Sequence, residues 1–184
     1  MDRAKFVCMR RANDISQTKD YAPSPQVGKH DDDAFGTHHA HDVFHLYETL
    51  GLHPKVFSSA VKLNTQYMHS VWFSFELNEA TDKKTVLEKL KQNPLVALTE
   101  RRSANEVFSF GRDHGYYGRI LSQTVISSPT IAVTDAGREI VGFCFTPQDG
   151  NSLLSSVAGA IWLMDPEHAT ERIQVLKRFV FREI

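Results

Sequence analysis

Cysteine is nearly absent, with two in 184 residues, Cys8 and Cys144. Each sits inside an apolar run and neither has a companion at metal-ligand spacing, so no disulfide framework is implied and both thiols are expected to be reduced and buried. An excess of charge is missing too. The 21 Lys and Arg residues against 22 Asp and Glu give a formal net charge of −1, which excludes an overall field favouring nucleic acid or a membrane surface. No run approaches the roughly 18 apolar residues of a membrane span, and Met1 to Lys5 opens no signal-peptide core. The expectation is a cytoplasmic protein without nucleic-acid or membrane partners. Internal repeats and low-complexity tracts are also lacking. What remains is one domain, 1–184, long enough to bury a real core.

The apolar run Ala4 to Met9 reads as a first strand, closed by Arg10 and Arg11. Residues 13–36 carry Pro23, Pro25, Gly28 and the solvated run Asp31-Asp32-Asp33 with no packing period, and so read as a long loop. From Asp42, a fair N-cap, Val43, Leu46, Tyr47 and Leu50 recur at helical spacing up to Gly51. Lys55 to Leu63 and His69 to Leu77 read as strands, the second rich in aromatic and β-branched residues. Thr81 can cap a helix to about Gln92, and a short strand Leu95 to Leu98 follows Pro94. Ser103 and Glu106 have capping-box spacing for a helix from Ala104 to about His114. Leu121 to Ile126 and Thr130 to Thr134 read as strands, and Asp135-Ala136-Gly137-Arg138 as a hairpin turn into Glu139 to Phe145. Two helices close the chain, one through Leu153, Leu154, Val157, Ile161 and Met164, the other from Thr170 to Phe181.

This order lacks a regular βαβ rhythm. It predicts an α+β fold, a mainly antiparallel or mixed sheet with helices on one face. Trp72, Phe73 and Phe75 come too densely for a sheet with one wet side, which points to a homo-oligomer formed through the sheet face.

The chemistry gathers at the two ends of the loop. Arg10 and Arg11 stand before it, and Thr37-His38-His39-Ala40-His41-Asp42 after it. Guanidinium forks and imidazoles bind phosphate or carboxylate in charge-assisted fashion, so the two ends could share one anion pocket. Strand alternation allows one arginine of the pair into that pocket more readily than both. A rival reading places His41 and His45 on one helix face and lets them, with His38 or Asp42, hold zinc or another divalent ion, although the spacing matches no established zinc pattern. His69 is either a histidine at the sheet edge or a general base, and a base needs a thiol or hydroxyl partner.

Arg10-Arg11-Ala12-Asn13-Asp14, Thr37 to Asp42, Thr65-Gln66-Tyr67-Met68-His69-Ser70-Val71 and Gly111-Arg112 follow in order. In order and approximate spacing they resemble the RRGAD, SHHGPD and TTLMHxHxV segments of the catalytic domain of archaeal-type (type II) glyceraldehyde-3-phosphate dehydrogenase. The similarity runs on to Met164. It implies a mainly antiparallel sheet whose copies pack in a tetramer. It also implies phosphate or phosphorylated-substrate binding by Arg10, Arg11, His38 and His39, with His69 as the base that activates a catalytic thiol. The family's nucleophilic cysteine lies in an SCNTT-type segment ahead of the first strand, and neither Cys8 nor Cys144 has that context. The family's HQESD segment becomes Phe145-Thr146-Pro147-Gln148-Asp149, and its asparagine on the first turn of the late helix becomes Leu154. A nucleotide-binding half with its Gly-rich turn is absent. The resemblance therefore implies a homologue inactive by itself, binding no cofactor alone and using NAD(P) only if paired with a nucleotide-binding domain. The alternatives are a non-catalytic oligomeric domain that binds a phosphorylated metabolite or serves in an assembly, and a metal-dependent hydrolase built on the histidine cluster.

Overall fold

A computed structural model describes residues 1–12, 24–65, 68–116, 122–147 and 153–184. Eight strands form one sheet: β1 (Arg3–Arg10), β2 (Gln26–Val27), β3 (Lys55–Lys62), β4 (His69–Glu76), β5 (Val96–Thr99), β6 (Thr124–Ser127), β7 (Ala132–Thr134) and β8 (Glu139–Thr146). The helices are α1 (His38–Glu48), α2 (Lys83–Gln92), α3 (Ala104–Gly111), α4 (Leu153–Met164) and α5 (Ala169–Arg172). The strand order is β2-β3-β1-β4-β8-β6-β5, with β7 also paired to β8. Only β1 with β3 and β5 with β6 run parallel, and helices α1 and α3 lie in the two crossovers. The α+β expectation of a mixed, mainly antiparallel sheet holds.

Register sorts the side chains by face. Ala60, Cys8, Val71, Cys144, Ile126 and Leu98 form one row across six strands. The Val71, Cys144, Ile126 and Leu98 part of that row, with Phe73 and Phe75 beside it, is covered by Val86, Leu87 and Leu90 of α2, while Ala40, Val43 and Phe44 of α1 pack on Ala4 and Val56. Gly142 sits opposite Phe73 because a Cβ there would lie 2.7 Å from Ile131 and 2.8 Å from the Phe73 ring. On the opposite face α3 covers the β5–β6 end, with Val107 buried against Ala97, Val125 and Phe145. The β1–β3 end of that face carries Val61, Met9, Val7, Trp72 and Phe143, which join none of the three core clusters. Val27 on β2 is 86% exposed.

Several boundaries differ from the sequence reading. Helix α1 starts at His38 with Thr37 as N-cap, so Asp42 lies inside it. Its buried side is Ala40, Val43 and Phe44, whereas Leu46, Tyr47 and Leu50 stay exposed. Strand β2 lies within the stretch expected to be loop; two exposed residues are too few to show a period. Asp82 caps α2 in place of Thr81, its carboxylate accepting from the Thr85 N–H at 2.9 Å. Ser103 does cap α3, without a side-chain bond, and the helix passes at Gly111 into a π turn, Arg112–Tyr116. The expected final helix is α5 followed by a 3₁₀ stretch, Ile173–Phe179. Its end is pulled open by buried Gln123, which accepts from the Phe181 N–H and donates to the Phe181 carbonyl, both at 2.7 Å. The chain then runs beside β5, where Leu98 N–H reaches Arg182 O and Ile184 N–H reaches Leu98 O. The hairpin turn at Asp135–Gly137 is where the sequence places it. Leu121, Gly118, Tyr67 and the 148–151 turn lie outside the described residues.

Candidate functional site

The site is built where α1 meets the sheet. Gly36 enters with φ +79 and presses against β3, bridging Ser58. A Cβ at Gly36 would collide with the Ser58 carbonyl and stand 2.8 Å from the Phe57 ring. This close approach lets the Thr37 N–H reach the Ser58 carbonyl at 3.1 Å. Ser58, 1% exposed, then acts as a hub. Its Oγ accepts the Ala40 N–H at 3.0 Å and shares a 2.7 Å hydrogen bond with Thr37 Oγ1. Thr37 Oγ1 is in turn hydrogen-bonded to His39 Nδ1 at 3.1 Å. One donor of the first helical turn, the Ala40 N–H, is thus satisfied by a strand side chain and by the Thr37 carbonyl rather than by a side-chain cap. The His39 ring is fixed by the same chain of bonds.

The sheet supplies the opposite wall. Gln26, Lys62 and Arg10 are register partners across β2, β3 and β1, and His69 pairs with Thr146 across β4 and β8. One step beyond the Met9–Ser70 pair, Arg10 stands opposite His69, on the face that carries Cys8 and Val71. This is the face on which α1 packs. The His38 and His39 rings lie 4.0 Å apart at 31°. Arg11, just past the strand, is 4% exposed, and its backbone N–H donates to His69 Nδ1 at 3.1 Å.

Electrostatics tie these groups together. Burial first, and then the charges of His38 and Arg10, hold the His39 pKa below its ordinary value, with Asp42 opposing them. Arg10 is therefore close enough for its charge to be felt at His39. An imidazole kept neutral beside a fixed guanidinium is poised to gain a proton when an anion arrives. At His69 the backbone bond consumes the Nδ1 lone pair, so a neutral ring carries its hydrogen on Nε2 and is a donor there. The two thiols are quiet. Burial raises the Cys8 pKa, with Arg10 opposing, and burial together with Cys8 pushes Cys144 up to about 12.

No protein-family model matches this sequence, and no curated protein matches it significantly. The site must therefore be read from its own geometry. Of the five residues singled out by sequence, the structure brings Arg10, His38 and His39 into one charged cluster with His69 across the strand, while Arg11 contributes its backbone. Lys62 was missed. Its signal, a lysine ending an apolar strand, acquires meaning only with the parallel β1–β3 register. Thr37 and Ser58 were missed as well, since their link spans 21 residues. Among the described residues no group of three or more His, Cys, Asp or Glu side chains is placed to hold a metal ion. No described helix is long and apolar enough to cross a membrane. A groove of about 700 Å³ between α2 and the C-terminal segment, lined by Glu88, Lys91, Pro94, Lys177 and Phe181, lies away from the arginine–histidine cluster. The cluster carries the denser chemistry.

Proposed function

We propose that this chain is the phosphate-binding, substrate half of a type II glyceraldehyde-3-phosphate dehydrogenase-like oxidoreductase, a cytoplasmic domain inactive until joined by a nucleotide-binding domain. The observation that carries the reading is that the Arg10 charge is felt at His39, whose ring lies against that of His38, while Lys62 is the register partner of Arg10 on the neighbouring strand. Fixed cations beside ionisable imidazoles suit a phosphate dianion. His69, whose Nδ1 accepts the Arg11 N–H, remains the residue that the resemblance makes the base. Arg11 supports the site through the N–H that orients His69. In this reading NAD(P) comes with the second domain, where it would accept hydride. The apolar strip Val61, Met9, Val7, Trp72 and Phe143 supports self-association through the open sheet face.

The buried thiols favour a second reading for the chain by itself, a non-catalytic domain that binds a phosphorylated metabolite. Calorimetric titration with inorganic phosphate, glyceraldehyde 3-phosphate and NAD(P) tests both. The expected result is binding of the two phosphate ligands and not of the dinucleotide, weakened roughly 10- to 100-fold by Arg10→Met or His39→Ala, the worth of one charge-assisted hydrogen bond. Addition of a nucleotide-binding domain that also carries the nucleophilic cysteine distinguishes the readings, since turnover appears only under the first. Absence of phosphate binding, or binding indifferent to both substitutions, refutes the anion site.

A further inference from the structure

Helix α1 carries a second pair of imidazoles that the anion site leaves unused. His41 and His45 stand one turn apart on its exposed side, with their Nε2 atoms 3.0 Å from each other and their ring planes at 75°. His45 Nδ1 lies 3.1 Å from Glu48 Oε2. An ionised carboxylate can only accept, so the hydrogen of neutral His45 is on Nδ1 and the Nε2 lone pair faces His41. The other Glu48 oxygen lies 4.0 Å from His53 Nδ1. Both rings are held in place. His41 meets Phe35 edge to face at 5.5 Å, and His45 meets Phe44 at 5.6 Å. The Asp32 carboxylate lies within electrostatic reach of His41 and adds negative potential.

Two imidazole nitrogens this close must have a cation or a hydrogen between them. With nitrogen–metal bonds of about 2.0–2.1 Å, a 3.0 Å separation corresponds to an angle at the metal of about 91–97°. A tetrahedral ion needs a wider bite, whereas a near-right angle is that of adjacent positions in a tetragonal ion such as Cu(II) or Ni(II). The carboxylate behind His45 is the outer partner that metal-bound histidines use to fix tautomer and orientation. We propose that His41 and His45 form a bidentate site for a tetragonal divalent transition ion, oriented by Glu48. Its remaining positions are open to water or to an added ligand.

Titration of the full chain with Cu(II), followed by electron paramagnetic resonance, tests this. One equivalent with a two-nitrogen signature is expected. His41→Ala and His45→Ala should each remove that signature, and Glu48→Gln should weaken binding roughly 10- to 100-fold while keeping the stoichiometry. Added Cu(II) should also raise the melting temperature of the parent and not of either alanine variant. All three side chains are solvent-exposed, so the variants keep the fold, and equal melting temperatures without metal verify this. Phosphate binding should persist in His41→Ala, which separates this site from the anion site. The proposal is overturned if no two-nitrogen signature forms, if it survives His41→Ala, or if it is lost instead with His38→Ala.

Discussion

Replacing Gly36 by alanine should unseat the start of α1, and the size of the effect can be worked out. A non-glycine residue at φ +79 costs about 1–2 kcal/mol in backbone conformation alone. The added Cβ also collides with the Ser58 carbonyl and comes 2.8 Å from the Phe57 ring. Both obstacles belong to β3, which is paired with β1 along its whole length and cannot yield cheaply, so overpacking adds about 1–3 kcal/mol. The sum is about 2–5 kcal/mol, which for a chain of this size lowers the melting temperature by roughly 4–20 °C. Gly51 provides the internal control. It has φ +70 but nothing within 4 Å of the place a methyl group would take, so Gly51→Ala should lose only the conformational part, about 1–2 kcal/mol. Thermal unfolding of both variants by circular dichroism, with phosphate titration of Gly36→Ala, completes the assay. Equal losses at the two positions would falsify the idea that contact with β3 holds the histidine helix in place.

Three further outcomes are expected. Because His39 titrates below its ordinary value of about 6.5, the unfolded chain takes up this proton first. The stability contributed by the neutral ring is therefore fully present above about pH 6.5 and is lost as pH falls through the window down to the lower folded value. Arg10→Met, which removes a repelling charge, and bound phosphate, which adds an attracting one, should each raise the His39 pKa in an NMR titration; a ring that ignores phosphate would place the anion elsewhere. Gln123→Ala strands the Phe181 N–H and the Pro94 and Phe181 carbonyls, costing about 2–4 kcal/mol, and should speed exchange of the Leu98 and Ile184 amides; unchanged protection would rule out the clamp. Neither Cys8 nor Cys144 should react with a disulfide reagent at neutral pH in the native protein, and both should react on unfolding; rapid native labelling would contradict their burial.

Where the fold was legible in sequence, local signals and tertiary packing agreed. β4 declared itself through Val71, Trp72, Phe73 and Phe75, and the β7–β8 hairpin through Asp135 to Gly137. Helix α1 was legible in its period but not in its face, because Leu46, Tyr47 and Leu50 look more apolar than Ala40, whereas only Ala40 is small enough to lie flush on Ala4 and Val56. Its first turn was hidden, since the Ala40 N–H is satisfied by Ser58 from another element. The same limit governs the site. Arg10, His38 and His39 could be named from side-chain chemistry, while Lys62 and the Thr37–Ser58 link depend on a register that no local window contains.

The placing of β1 at the middle of the sheet has a consequence for synthesis. It is made before both of its neighbours, and β4 is complete only at Glu76. At about 5–20 residues per second, the roughly 66 residues between Arg10 and Glu76 take about 3–13 s to appear. Through that interval Phe6, Val7, Cys8 and Met9 form an apolar segment without its full set of native partners, open to capture by chaperones or by other nascent chains. The arginines at its end then serve a second purpose, as charges that keep this waiting strand from pairing wrongly.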